Sequence, residues 1–208
     1  RLSRQGGDPV VELQTNFGGG KTHSMVALFH LFGADDPKSL VGVDDLMKEA
    51  GIETLPKGNR AVLVGTSLSA AEVNEKPDGT VTRTLWGEMA WQLCGAEGYA
   101  MLAESDASGV SPGSELLAKL LSNYSPCLIL IDEWVAYVRQ LYHVSDLPAG
   151  SFDANITFAQ ALSEAVKAAD RSLVVAGLPA SQIEIGGEGG EQALERLKNT
   201  FSRLETAW

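Results

Sequence analysis

Two short stretches carry residues whose types and spacing suit phosphate chemistry. The first, "LQTNFGGGKTHSM" from Leu13 to Met25, sets Gly18, Gly19 and Gly20 directly before Lys21 and Thr22. Consecutive N–H groups of such a loop can point at phosphate oxygens, and glycine permits the left-handed conformations that the curl needs. The N-terminus of a following helix adds positive potential. A lysine at this point reaches β and γ phosphates, and the hydroxyl residue after it ligates Mg²⁺. The second stretch, "CLILIDEW", ends an apolar run in Asp132 and Glu133. A carboxylate at a strand tip beside a phosphate loop holds Mg²⁺ through its waters, and a second carboxylate can orient and activate an attacking water.

The loop departs from G-x-x-x-x-G-K-[ST] at one place: Thr15 stands where the first glycine is expected. That alters the turn by which the chain leaves the strand and keeps the phosphate-binding part. Thr15, Asn16, Phe17, Gly18, Gly19, Gly20, Lys21 and Thr22 are therefore the candidate nucleotide contacts. His23, in the first helical turn, is a further candidate whose alternative is a surface role. Thr22 and Asp132 are the candidate metal ligands, and Lys21 and Glu133 the candidate catalytic residues. Each motif has a plainer reading. A glycine-rich strand-to-helix turn can carry an incidental lysine, and acidic residues are favoured at any helix N-terminus. The two motifs in this order, one domain apart, favour the chemical reading.

Four apolar runs must position these residues: Val10–Gln14, Ala61–Gly65, Cys127–Ile131 and Ser172–Gly177. They lack polar alternation, as parallel strands covered on both faces do. Helical patterns lie between and after them, over Thr22–Phe32, Leu85–Glu104, Glu115–Leu121, Phe158–Ala169 and Glu191–Ala207. Gly95 and Gly98 are possible interruptions of the second. Alternating strands and helices imply an α/β fold, a parallel sheet flanked by helices with right-handed crossovers. Residues 69–84, with a Pro-Asp-Gly turn, read as an inserted hairpin. Ser105–Ser114 reads as a flexible connection, and the glycine-rich Gly186–Glu191 as a mobile linker. Glu133 beside Asp132 argues for the ATPase class in which a strand intervenes between the two motif strands. Ala61–Gly65 is expected to be that strand, with Ser172–Gly177 next over and Ser181 near the γ-phosphate, where it could sense or position water. The plainer reading of Ser181 is a loop serine.

Sixteen basic against 27 acidic residues, a net charge of −11, oppose a phosphate backbone. Contact with nucleic acid is expected only through other domains or subunits. Cys94 and Cys127 show no metal or redox spacing, and Cys127 reads as a small buried hydrophobe. No stretch approaches the roughly 18 apolar residues of a membrane span. A reducing cytoplasmic setting and no membrane are expected. The chain begins at Arg1 without a methionine, and residues 1–208 are expected to be a core cut from a longer protein.

"LQTNFGGGKTHSMVALFHL", "LWGEMAWQL" and "LILIDEWVAYVRQL" resemble a group of large bacterial ATP-binding proteins of AAA+-like type, DUF-type ATPases found beside DNA methyltransferases and in bacteriophage-exclusion gene clusters. The resemblance spans most of the chain in scattered blocks, and the Thr-x-Phe-Gly-Gly-Gly-Lys-Thr loop matches the group's own variant. It implies a three-layer P-loop NTPase fold of the additional-strand, catalytic-glutamate type. It implies ATP and Mg²⁺ as ligands, hydrolysis within a homo-oligomer or multi-protein defence complex, and a part in phage defence. By analogy with AAA+ proteins, Arg203 or Arg196 would reach a neighbour's γ-phosphate, the alternative for each being a helix-surface arginine. A fifth strand and a helical lid are expected outside these residues.

Two rivals remain open. "GTSLS" (Gly65–Ser69) half-matches the nucleophile elbow of an α/β hydrolase, with Ser67 as nucleophile and Asp132 and His143 following in order. The other is a nucleotide-binding scaffold without turnover, against which Glu133 argues. Trp86, Trp91 and Trp134 read as core or interface anchors.

Overall fold

The computed structural model describes residues 2, 6–15 and 19–205, and all of their side chains except those of 182, 183 and 202–205. In chain order the elements are β1 (Val10–Thr15), α1 (Lys21–Leu31), α2 (Val43–Glu49), β2 (Asn59–Val64), β3 (Asn74–Glu75), β4 (Val81–Thr82) and α3 (Leu85–Ser108). There follow α4 (Ser114–Asn123), β5 (Cys127–Asp132), α5 (Trp134–Val138), α6 (Phe152–Ala168), β6 (Ser172–Pro179), α7 (Gln182–Ile185) and α8 (Glu188–Glu205). All four expected strands form, each within a residue or two of its apolar run.

They make one parallel sheet in the order β1-β6-β5-β2. This corrects the expected order. The strand between the two motif strands is β6, and β2, the run expected there, lies at the edge beyond β5. Burial explains the arrangement. Every residue of β5 is buried and all but one of β6, whereas β1 and β2 each expose part of one face or end. The charged Glu12 and Arg60 sit in the two edge strands, where a charged side chain can reach water.

Alternation along β5 sends Cys127, Ile129 and Ile131 into a large core with α3, α4, α5, α6 and α8. Leu128 and Leu130 point the other way, into a smaller cluster with Val175 of β6 and Met25 of α1. The same period of two puts Asp132 on the α1 side. An aromatic chain runs through the larger core: Trp86–Phe158, Phe158–Trp134 and Trp134–Phe201, with ring centroids 5.4, 6.4 and 5.8 Å apart. Trp134 is fully buried in that chain, which pins the backbone directly after Glu133.

Helix ends follow local chemistry. Thr84 and Ser151 accept from the N–H groups of Gly87 and Ala154, capping α3 and α6. Gly95 breaks the regularity of α3 with φ 63°, at a place the sequence marked. That helix continues through Ser108 and stops at Gly109, so the first part of the expected flexible connection, Ser105–Ser108, is helical. The expected mobile linker Gly186–Glu191 is likewise mostly helix, since α8 starts at Glu188. Gly189 and Gly190 serve close packing. A Cβ on Gly190 would fall 1.7 Å from the Ile185 carbonyl oxygen, and one on Gly189 would fall 2.9 Å from Tyr142. Glu188 and Glu191 suit the dipole of the first turn.

The hairpin β3–β4 turns around Pro77–Gly79 within residues 69–84. It is tied to α3 by buried charge. Glu88 accepts from Thr82 Oγ1 (2.8 Å), Gln92 and Lys76, and Asp106 accepts from the N–H groups of Arg83 and Thr84, Thr84 Oγ1 (2.6 Å) and Tyr99 Oη (2.9 Å). Among the described residues no helix is long and apolar enough to cross a membrane.

Candidate functional site

The C-terminal ends of β1, β6 and β5 meet at one edge of the sheet, where β1 brings Thr15, β5 brings Asp132 and the segment after β6 brings Glu184. α1 begins at Lys21 after Gly20, whose φ of 84° requires the freedom of glycine. The first turn is closed by Ser24, whose N–H and hydroxyl both donate to the Gly20 carbonyl. That turn aims Lys21 back along β1 and Thr22 toward β5.

Thr22 Oγ1 donates to Asp132 Oδ2 at 2.6 Å, joining the two motifs across 110 positions of sequence. Asp132 Oδ1 accepts from the Glu133 N–H at 3.1 Å. Gly177 of β6 makes room for this carboxylate: a Cβ there would lie 2.8 Å from Asp132 Oδ1 and 3.2 Å from Met25 Cε. A hydroxyl and a carboxylate so placed can share a hard divalent cation that keeps water or phosphate as its other ligands. Among the described residues no group of three or more His, Cys, Asp or Glu could hold a metal alone.

Glu133 adopts a left-handed conformation, φ 54° and ψ 36°, at the strand-to-helix corner. Such a conformation in a residue other than glycine persists where the surroundings impose it. Here they do, through Trp134 on one side and Gly65 on the other. The Gly65 N–H donates to the Asp132 carbonyl at 2.9 Å, and a Cβ on Gly65 would come within 2.0 Å of the Glu133 carbonyl oxygen. Among the described residues no donor hydrogen-bonds the Glu133 carboxylate. Burial pushes its pKa up, with Asp132 and Glu184 adding like-charge repulsion, while Lys21 and Arg139 oppose the rise. A half-buried carboxylate made more basic in this way is suited to accept a proton.

Lys21 Nζ donates to the Thr15 carbonyl at 3.0 Å and meets Glu184 Oε1 at 3.4 Å. Glu184 Oε2 accepts from the Ala180 N–H at 3.2 Å. Burial alone would raise the Glu184 pKa, but that N–H and Lys21 together hold it below the ordinary value. Arg139 donates to the carbonyls of Ile185 (3.2 Å) and Glu184 (3.5 Å), so α7 is held between Lys21 and Arg139.

Glu184 and Arg139 were not anticipated from sequence, because Glu184 meets Lys21 through β6 lying beside β1 and Arg139 meets α7 through β6 lying beside β5. The other anticipated residues fall as follows. Thr15 ends β1, and its buried Oγ1 has no hydrogen-bond partner among the described residues. Gly19 and Gly20 lead into α1, and His23 is exposed on its first turn. Asn16, Phe17 and Gly18 lie outside the described residues. Ser181 is half-buried between β6 and α7, and its carbonyl accepts from the Glu184 N–H. Arg196 Nη1 pairs with Asp153 at 3.1 Å, tying α8 to α6, and the Arg203 side chain lies outside the described residues. Ser67 sits in the turn after β2, its N–H bonded to the Val64 carbonyl. No hydrogen bond joins Ser67, Asp132 and His143 among the described residues; Asp132 is engaged by Thr22.

The chain matches the DUF499 N-terminal domain family over residues 2–204. It belongs to that family. No curated protein and no solved structure matches it. In this DUF499 N-terminal domain the groups brought together at the sheet edge are thus one lysine, one hydroxyl, three carboxylates and one guanidinium. Such a set can bind an anion at Lys21, place a divalent cation at Thr22 and Asp132, and present a base from Glu133.

Proposed function

We propose that this domain binds ATP with Mg²⁺ and hydrolyses it. The observation that carries the reading is the 2.6 Å hydrogen bond from Thr22 to Asp132, with Lys21 next to Thr22 and Glu133 next to Asp132. Two stretches far apart in sequence, each read as half of a nucleotide site, meet at one sheet edge. The strand order supports the same reading, since β6 separates the two motif strands as the catalytic-glutamate class of P-loop NTPases requires.

In this reading the N–H groups of Gly19, Gly20 and the start of α1 face the phosphates, and Lys21 neutralises β and γ oxygens. Mg²⁺, when bound, offsets charge developing on the bridging and γ oxygens. Thr22 and Asp132 are the residues that would hold it, Asp132 through water. Glu133 accepts a proton from a water whose oxygen bonds to the γ-phosphorus as the bond to the β–γ bridging oxygen breaks, giving ADP and phosphate. An AAA+-like motor or switch within an oligomeric phage-defence assembly is the biological setting that the sequence resemblance suggests.

The test is the melting temperature with Mg-ATP, Mg-GTP, ATP plus EDTA, and no ligand, repeated for Lys21→Ala. A ligand that binds only the folded state raises the transition by about 2.7 kcal/mol at a hundred times its Kd. A rise with Mg-ATP, reduced by EDTA and absent in Lys21→Ala, is expected. Equal melting under all four conditions in the intact protein would remove the reading.

A further inference from the structure

Lys21, the residue that must take phosphate, is already paired. Its ammonium has three protons to donate; one goes to the Thr15 carbonyl and another points at Glu184. Both side chains of the ion pair are largely shielded, 11% and 13% exposed, so the pair is more than a solvated surface contact. The other oxygen of the same carboxylate takes the Ala180 N–H. Glu184 thus ties the tip of β6 and the start of α1 together.

α7 has only four residues, and one turn of helix does not hold itself in place. Besides the buried Ile185 at its end, its position rests on the contact of Glu184 with Lys21 on one side and on the Arg139 guanidinium on the other. Gly186 (φ 75°) and Gly187 (φ 84°) follow it, supplying a turn that can change direction without side-chain strain. A Cβ on Gly186 would sit 2.0 Å from Arg139 Nη1, so the guanidinium lies against this turn as well. Electrostatics favour displacement. Glu184 already repels Glu133, and a triphosphate taken up by Lys21 would bring further negative charge beside both.

We propose that Glu184 is a displaceable counter-ion of Lys21, which occupies the phosphate-binding lysine in the empty site and releases α7 when phosphate takes its place. The inference rests on the nucleotide reading above. It gives the domain a way to report occupancy: the anion that replaces one carboxylate frees the short helix joining β6 to α8. Lys21 serves as the detector, and Arg139 keeps the far end of α7 anchored.

The experiment is the Kd for Mg-ATP of the intact protein and of Glu184→Gln, Glu184→Ala and Lys21→Ala, together with hydrogen exchange of amides 180–186 with and without Mg-ATP. Glu184→Gln keeps an acceptor for the Ala180 N–H and removes only the charge, so it separates the ion pair from the fold of α7. Both Glu184 variants are expected to bind about three- to tenfold tighter, because the wild-type lysine is partly occupied. Amides 180–186 are expected to exchange faster in the wild type once Mg-ATP binds, and fast from the outset in Glu184→Ala. Unchanged or weaker binding by Glu184→Gln, or amides indifferent to Mg-ATP, would overturn the counter-ion while leaving the nucleotide reading intact so long as Lys21→Ala abolishes binding. If the wild type binds no Mg-ATP, both fall together.

Discussion

Two clusters of charge within this domain are built on opposite principles. Under the hairpin, Asp106 and Glu88 are buried, 0% and 5% exposed, and every one of their carboxylate oxygens accepts at least one hydrogen bond. Burial presses the Glu88 pKa upward, but Gln92, Lys76 and Thr82 overcome it and hold the group below its ordinary value. At the sheet edge, Glu133 has no donor among the described residues and faces Asp132 and Glu184. Its pKa is pushed up by burial and by those two neighbours. A carboxylate with all its bonds made holds structure. One kept close to like charges and short of donors adds little to local stability, and such groups are candidates for function.

Substitutions can break or sharpen this contrast. The largest effect on folding is expected from Asp106→Ala, which strands the N–H groups of Arg83 and Thr84 and the Thr84 hydroxyl, while Tyr99 Oη keeps the Val81 carbonyl. A loss of about 3–5 kcal/mol in urea unfolding is expected, and a loss below about 1 kcal/mol would show that the hairpin knot is not what holds this region. Next is Gly65→Ala. The new Cβ would overlap the Glu133 carbonyl oxygen, so the corner must shift, at about 1–3 kcal/mol. ATP turnover should fall more steeply than stability, which parallel activity and unfolding measurements would reveal.

Glu88→Gln should cost about 1–2 kcal/mol at neutral pH. The folded pKa of Glu88 lies below its unfolded value, so its contribution is complete above about pH 4.3 and disappears as the pH falls through the folded value. The gap between wild type and variant in melting temperature should therefore close on acidification; a gap that is constant with pH would assign the effect to shape alone. Smallest in stability is Glu133→Gln, expected to leave the melting temperature unchanged or slightly higher, within about 1 kcal/mol. It should nonetheless retain Mg-ATP binding and lose about 10²-fold or more in turnover. Turnover near the wild-type rate in the variant would remove Glu133 as the base, whereas a wild type that binds Mg-ATP and shows no turnover to lose would favour the scaffold reading.

How much of this was legible beforehand differs from element to element. The strands were readable because β1, β2, β5 and β6 are short apolar runs bounded by polar or glycine residues, a signal carried within each run. The long helices were readable from their apolar faces. Short helices escaped: α2, α5 and α7 have seven, five and four residues, too few for periodicity to register. The glycine-rich 186–191 was misread because glycine serves both mobility and close approach, and only the Ile185 carbonyl and Tyr142 ring beside it reveal which.

By itself the sequence determined the α/β class, the loop carrying Lys21 and Thr22, and the paired carboxylates at positions 132 and 133, since each is a local pattern with a local physical cause. Tertiary structure alone decided the lateral order of the strands. Chain order states which strand comes next, whereas position in the sheet depends on which faces and edges can be buried. With β6 beside β1 rather than β2, the segment after β6 falls next to the start of α1. That adjacency brings Glu184 to Lys21, and β6 beside β5 brings Arg139 to α7. No spacing within either stretch could have announced it, because the contact joins residues 163 positions apart.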